Sequence, residues 1–392
     1  MWVKAAYRVA CYKSGALLTS RMQLRSKLSA YNRGIKRNDF QDLPVDRAMG
    51  VKSDSILFDG RLRKRKRIIL LTGGCSIATC TMCPFPGESR SGVQSDDLIR
   101  QFEGAFDGDC IDNYELITLF CNGNFFSDRE LSPLVRAHIF ERIGRSQAAI
   151  LAVESLPQFL TESKIAAARK GLGPKKLAVF MGLQSADDFV REVAINTTCS
   201  RPAFERAVGI LQANRYLAVA FLMVKPPFLT EAEAVEDVLA SLNYLSRLGV
   251  THSTLCPTRV APATLLSEMH AKGYYQPGWI WSVVEVLTRH ADALGSVPMV
   301  NTTELKDWIN PDSSCARACP DCKESTILAI EEFLFSRDLG VLKNLHCHCY
   351  TDYQRHVQQE TERWGPLSVH ERVEHFLKLI QVIPGVMDRE IG

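Results

Sequence analysis

The sequence predicts an α/β protein built as a partial (β/α)6 barrel, with a basic N-terminal extension and a Cys-rich C-terminal segment. Three observations carry that prediction. Short apolar runs alternate with helix-period segments between about residues 67 and 290. Residues 1–67 hold 17 Lys/Arg against 5 Asp/Glu, although the 392-residue chain has a net charge of only +3. Eight of the 13 cysteines fall in two compact groups. Expected boundaries are 1–60 for the extension, 61–300 for the barrel and 301–392 for the Cys-rich segment.

The extension comes first. Residues 1–38 contain nine basic residues and no acidic one. They read as a transit peptide for organellar import, a basic substrate-binding segment or a solvated surface. Lys4 and Arg8 are not followed by the apolar core of roughly 7–15 residues that a secretory signal needs. The expected location is therefore cytoplasmic, with import left open. The longest apolar stretch, Tyr216–Val224, ends at Lys225 and falls short of the ~20 residues that span a bilayer, so no membrane partner is expected. A composition 46% hydrophobic and 23% charged excludes a disordered chain.

The barrel follows. Its runs are Arg67–Leu71, Leu116–Cys121, Ala148–Glu154, Leu177–Gly182, Tyr216–Lys225 and Ser253–Thr258. Apolar runs of this kind, each leading into a helix, belong to a parallel sheet of βα units. The helix after the fifth run shows the logic. Thr230 and Glu233 make a capping box, and Val235, Val238, Leu239, Leu242 and Leu245 form one apolar stripe. Gly249 stands at the expected stop. Parallel α/β folds bind ligands at the carboxyl ends of their strands, so the chemistry is sought just after each run.

Directly after the first run, Gly73-Gly74 leads into Cys75, Cys80 and Cys83, spaced C-x4-C-x2-C. Three thiolates can hold three corners of a [4Fe–4S] cubane and leave one iron open. A structural zinc site is closed by four ligands, so a zinc knuckle here would have to borrow one from elsewhere. The loop resembles that of the radical SAM superfamily. Most members have C-x3-C-x2-C, and the extra residue is found in some branches.

Further segments resemble the branch of the radical SAM subunit of archaeosine synthase and, more distantly, the Elongator-type radical SAM domain. Cys121-Asn122-Gly123-Asn124-Phe125 takes the place of the Gly-rich segment that contacts the methionine amino group, which implies roles for Gly123 and Asn124. Glu154-Ser155-Leu156-Pro157 resembles a Glu-Ser-x-Pro whose carboxylate binds the ammonium or ribose of S-adenosylmethionine. Gly182-Leu183-Gln184-Ser185 resembles Gly-Leu-Glu-Ser/Thr, with Gln184 in place of the glutamate. Arg191 is placed for a forked pair with the S-adenosylmethionine carboxylate, and Asn196 completes an Arg…Ile-Asn pattern. Lys225-Pro226-Pro227-Phe228-Leu229-Thr230-Glu231 and Tyr275-Gln276-Pro277-Gly278-Trp279-Ile280-Trp281-Ser282 complete the resemblance. Lys225 is expected to hold a substrate anion.

The resemblance implies a radical SAM barrel that cleaves S-adenosylmethionine reductively to a 5′-deoxyadenosyl radical, with electrons from a flavodoxin or ferredoxin. It implies, as substrate, a lysine-linked 7-deazaguanine base in tRNA whose C–N bond is cleaved. Arg61, Arg63, Lys64, Arg65, Lys66 and Arg67 would then meet phosphates, the alternative being a solvated or internally paired run. A small amino acid or nucleoside is the alternative substrate, and a non-catalytic zinc-bearing nucleic-acid-binding protein the alternative class. The tail contributes Cys315, Cys319, Cys322, Cys347 and Cys349, suited to structural zinc or an auxiliary iron–sulfur cluster. The remaining cysteines read as small buried residues.

Overall fold

The computed structural model describes residues 14–35, 40–294, 297–305 and 316–381. Its first helix, α1 (Ser14–Gly34), is followed by a hairpin of β1 (Gly50–Phe58) and β2 (Arg61–Ile69). Asp59 and Gly60 join the two strands with φ of 51° and 78°, the backbone a two-residue Asp-Gly turn requires. Next come α2 (Ser95–Gly104), β3 (Leu116–Phe120), α3 (Pro133–Gly144), β4 (Ile150–Glu154), α4 (Glu162–Leu172) and β5 (Lys176–Gln184). A π-turn at Val190–Ala194 precedes α5 (Arg201–Ala213), β6 (Leu217–Val224), α6 (Glu231–Arg247) and β7 (His252–Pro257). Then follow α7 (Leu265–Ala271), α8 (Ile280–Leu294) and the short β8 (Met299–Val300). The tail holds α9 (Pro320–Ser336), α10 (Leu339–Lys343), α11 (Cys349–Trp364) and α12 (Val369–Gln381).

The strands form one sheet in the order β1 to β8, parallel except for the β1–β2 pair. β1 and β8 lie at its two edges, so the sheet curls into an open half-barrel. Side chains alternate between its faces. Leu116, Ile150, Ala152, Ala178 and Val219 share a small buried cluster with Phe58 inside the curl. Ile117, Leu119, Leu151, Val153 and Val179 belong to the larger core under the helices. The capping box at Thr230 and Glu233 is present. No helix among the described residues is long and apolar enough to cross a membrane.

The α/β half-barrel stands as expected, with two strands added. Six runs become β2 to β7, and β1 and β8 extend the two edges. The first strand also begins at Arg61 rather than Arg67, which corrects the reading of the basic run. Arg63 is buried and donates to the Phe58 carbonyl at 3.0 Å. Arg65 grips Asp54 through two 2.7 Å hydrogen bonds, and Lys66 bonds Asp109 at 2.8 Å. Only Arg61 and Lys64 of the run are exposed, so Arg63, Arg65 and Lys66 belong to a strand with internal partners rather than to a phosphate-facing tract.

The segment before residue 60 is likewise no appendage among the described residues. β1 pairs along its whole length with β2. Leu24 and Leu28 of α1 share a buried cluster with Val193 and Ala194 of the π-turn and Val373, Phe376 and Leu377 of α12.

Candidate functional site

The strand positions that stay partly open near the carboxyl ends are Phe120, Glu154, Phe180, Gln184, Phe221 and Cys256. Register places them on the inner face, so they line the mouth and lumen of the curl. Phe180 lies 5.1 Å from Phe221 and 6.4 Å from Phe120, centroid to centroid. At the end of β5 a bulge between Gly182 and Gln184, with φ of 67° at Gln184, turns the chain out of the sheet.

Above this mouth, the loop after β2 carries Cys75, Cys80 and Cys83. It is held from three sides. Thr72 donates to the Cys121 carbonyl at 2.9 Å, which ties the loop to the end of β3. Asn32 of α1 donates to the Cys80 carbonyl at 3.2 Å. Thr81 donates to the Ala194 carbonyl at 2.9 Å and Thr79 to the Asn196 carbonyl at 2.8 Å, while Asn196 returns bonds to Ser29 and Thr79.

A further residue, not singled out from the sequence, organises the same loop. Glu130 is 8% exposed. It accepts from Ser76 N–H at 3.0 Å, Ser76 Oγ at 2.7 Å, Asn124 Nδ2 at 2.9 Å and the Asn124 backbone N–H. Asn124 Nδ2 also lies 3.6 Å from Cys75 Sγ. A Cβ on Gly123 would come within 2.1 Å of Glu130 Oε2, so that glycine is needed for close approach. Nothing local in the sequence marks Glu130, because its partners lie up to 54 residues away.

The three thiols suit a multinuclear group. Burial, then the Cys75 thiol, pushes Cys80 up to about 12. Burial, with Cys80 and Cys75, raises Cys83 well above the usual thiol range, and burial raises Cys75. As bare thiols they stay protonated, and a cationic metal centre would supply the charge that makes thiolates stable there. They are not among the described groups whose ligand atoms all lie within 4.8 Å of one another. Thiolates sharing one tetrahedral zinc sit about 3.8 Å apart, whereas each corner of a cubane takes a thiolate on its own iron.

The expected S-adenosylmethionine residues divide into two kinds. Glu154 sits at the mouth, accepts from Cys121 N–H at 3.1 Å and is raised to about 7, by burial first. Gln184 and Gly123 are partly open. Asn124, Ser155 and Arg191 are turned inward. Asn124 Oδ1 accepts from Leu156 N–H at 2.7 Å, and Ser155 Oγ accepts from Phe126 N–H at 3.3 Å.

Arg191 is fully buried. It donates to the carbonyls of Cys199, Ser185 and Ala186 and to the carboxylates of Asp188 and Glu192. This corrects the expected forked pair, since every guanidinium nitrogen already serves the protein.

Lys225 requires a similar correction. It is 1% exposed, and its Nζ lies 2.6 and 2.8 Å from the Glu360 carboxylate and 3.3 Å from Glu231. The anion it was expected to draw from a substrate is supplied by α11, 135 residues away. The Tyr275 hydroxyl donates to the Lys225 carbonyl at 2.8 Å, and Glu231 accepts from Trp279 N–H and Ser282 Oγ. The aromatic segment is thus part of the wall around this ion cluster. Elsewhere on the rim, Arg259 pairs with Glu304 at 2.7 Å, and burial raises Glu88, which accepts from Asn122.

In the tail, the sulfurs of Cys319, Cys322, Cys347 and Cys349 lie within 4.8 Å of one another, with separations of 3.3 to 3.5 Å along their contacts. That spacing is too long for a disulfide and matches four ligands around one tetrahedral ion. Trp281 Nε1 donates to Cys349 Sγ at 3.2 Å. Cys349 opens α11, and Tyr353, His356 and Glu360 follow on the same face. Cys315 lies outside the described residues. Of the cysteines expected to be buried, Cys121 and Cys199 are, Cys256 is half-buried, Cys110 is exposed and Cys11 is outside the described residues.

No protein-family model matches the chain. It is 27% identical over 337 residues to an uncharacterized protein of Methanocaldococcus jannaschii, covering 80% of this chain and 88% of that one. It is 25% identical over 316 residues to archaeosine synthase subunit beta of Methanosarcina acetivorans (79% and 89% covered). To the subunit of the same name from Thermococcus kodakarensis it is 26% identical over 315 residues (76% and 93%). Among solved structures, Elp3 of Methanocaldococcus infernus aligns with a TM-score of 0.46 at 15% identity, covering 68% of this chain and 62% of that one. The hydrogenase maturase HydG aligns with a TM-score of 0.42 at 7% identity, covering 95% and 87%.

Proposed function

We propose that this chain, similar over more than three quarters of its length to two archaeosine synthase beta subunits, is a radical SAM enzyme. Its [4Fe–4S] cluster would be held by Cys75, Cys80 and Cys83, and S-adenosylmethionine would lie across the mouth. The observation that carries this reading is the loop itself. Three half-buried, mutually interacting thiols stand above the carboxyl ends of a parallel half-barrel, spaced too widely for one ion. The substrate we propose is a lysine-linked 7-deazaguanine base in tRNA, cleaved at a C–N bond, in keeping with the named relatives.

When bound, the cluster and S-adenosylmethionine supply one-electron reductive chemistry, with the electron drawn from a flavodoxin- or ferredoxin-type donor. The protein's own part is positioning and exclusion of water. Glu154, half-protonated near pH 7 when alone, gains an ionised state beside an ammonium group and so binds one at the mouth. Arg191 acts at one remove. It clasps the carbonyls around residues 185–199 and thereby fixes Asn196, which braces the cluster loop. Phe120, Phe180 and Phe221 present an apolar wall below. The tail thiols, Cys319, Cys322, Cys347 and Cys349, hold structural zinc rather than an auxiliary cluster, because their spacing suits a single ion.

Anaerobic reconstitution tests this. The expected result is a brown protein with absorbance near about 400 nm, one zinc per chain and release of 5′-deoxyadenosine from S-adenosylmethionine plus reductant. Replacing Cys75, Cys80 and Cys83 by Ala abolishes that release. A colourless protein with two zinc ions refutes the enzyme reading in favour of a zinc-bearing binding protein. Mass spectrometry of tRNA from a deletion strain tests the substrate: the unprocessed lysine-linked base should accumulate.

A further inference from the structure

The lumen contains a charge arrangement that the proposed chemistry leaves unused. On the inner face of the β1–β2 hairpin, Lys52 stands directly opposite Arg67, and Asp54 opposite Arg65. Like charges paired across an antiparallel ladder destabilise it. One carboxylate stands between the two arginines. Asp54 is gripped by Arg65 through two 2.7 Å hydrogen bonds, and it also interacts with Arg67 and Lys52. The half-buried Arg67 guanidinium donates no hydrogen bond to any described residue. Burial and the neighbouring Arg65 both disfavour its charge, and Asp54 alone opposes them. Arg67 therefore shares with Arg65 a carboxylate that Arg65 already holds.

What surrounds that cation is equally specific. Arg67 is in register with Thr118 of β3, and Ile69 with Phe120, so the guanidinium lies one inner-face position below the aromatic wall. Phe180 and Phe221, tilted 30° to each other, continue that wall across β5 and β6. Thr254, beside Phe221 in register, has a buried hydroxyl without a partner. An aromatic wall, an unpaired fork of N–H donors and an unsatisfied hydroxyl on one inner face are the parts of a binding site for a flat, anionic molecule.

We propose that the lumen beside Arg67 is an oxyanion subsite, taking a carboxylate or phosphate of a molecule whose planar ring packs on Phe120, Phe180 and Phe221. It rests on the reading above only in treating the lumen as the substrate chamber. The guanidinium forks onto the oxyanion, and the added charge offsets the neighbouring Arg65.

The test is calorimetric titration of the full chain with two matched pairs of probes, indole-3-acetate against indole-3-acetamide and GMP against guanosine. Each pair keeps the ring and changes the anion. The wild-type chain should prefer the anionic member of at least one pair by about tenfold, the range of a charged hydrogen-bonded contact. A preference confined to indole-3-acetate identifies a carboxylate site, and one confined to GMP a phosphate site. Arg67→Gln should erase the preference, Arg67→Lys should keep part of it, and Lys64→Gln, on the outer face, should leave it intact. Far-UV circular dichroism and thermal melting confirm that the variants are folded. Equal affinity within both pairs in the wild type, or an unchanged preference in folded Arg67→Gln, overturns the proposal. Failure of the radical SAM reading is separate, since it appears as absent 5′-deoxyadenosine release by the wild-type chain.

Discussion

Glu130 offers a direct test of how the cluster loop is held. Replacing it by Ala removes the acceptor for the Asn124 backbone N–H and for Asn124 Nδ2. Asn124 is 2% exposed, so neither donor regains water. Each buried donor left unpaired costs roughly 1–3 kcal/mol. Ser76 is exposed and recovers most of its loss from solvent. The sum is about 4 kcal/mol. With an unfolding entropy of about 2.1 cal/mol/K per residue, that corresponds to a fall in Tm of about 5 °C.

The second effect is on the metal. Once Asn124 is released, Cys75 loses the N–H beside its sulfur and the loop loses its tie at Ser76. Iron and sulfide per chain after anaerobic reconstitution should therefore fall by more than half. Glu130→Gln keeps one acceptor oxygen but turns an amide N–H toward these donors, so it should fall between wild type and Ala. A Glu130→Ala protein with wild-type iron content and a Tm within a degree of wild type would refute the reasoning.

Other positions give independent outcomes. Gly123→Ala drives a Cβ to within 2.1 Å of Glu130 Oε2, so iron loading should fall as it does on loss of Glu130, with no change in zinc content. Asp237 is buried, with one oxygen accepting from Ser185 at 2.7 Å and the other unpartnered, and burial raises it to about 7. A carboxyl raised above its unfolded value favours folding at low pH, and that stabilisation is lost between about pH 4 and 7. Denaturant titration should show Asp237→Asn flattening this decline, with its largest relative gain above pH 7. Burial alone would raise Glu360, but the His356 hydrogen bond and Lys225 bring it down to about 2. Glu360→Gln should destabilise the protein by roughly 3–5 kcal/mol in denaturant titration, and Lys225→Met should recover part of that loss in the double variant. Cys322→Ser should lower zinc and Tm together while leaving the iron of the Cys75 loop in place.

The parallel strands were legible because each is buried on both faces and therefore reads as a nearly unbroken apolar run, as in Ile150–Val153 and Leu217–Val224. The hairpin strand at Arg61–Ile69 was hidden by its charges. Only its alternation shows in the fold, with Arg63, Arg65 and Arg67 on the inner face and Lys66 against Asp109 outside. β8 has two residues, too few for any pattern. The four tail thiols, which the structure gathers, were legible from local spacing, and spacing of the same kind singles out Cys75, Cys80 and Cys83. Arg191 and Lys225 were expected to meet ligands, and the structure gives both of them protein partners. Their carboxylates come from Asp188 and Glu192 in one case and from Glu360 in the other. A lysine at a strand end looks the same in sequence whether a helix 135 residues later covers it or a ligand does.

The position of α1 sets an order on how this molecule can mature. Its Asn32 closes over the Cys80 carbonyl, and its apolar face is completed by Val373, Phe376 and Leu377 of α12. On the ribosome, the loop of Cys75, Cys80 and Cys83 emerges some three hundred residues before the helix that seats its clamp. Until α12 arrives, Leu24 and Leu28 have half a binding face and the loop is braced from two sides instead of three. The seat of the brace on the Cys80 carbonyl is therefore complete only when the far end of the chain is.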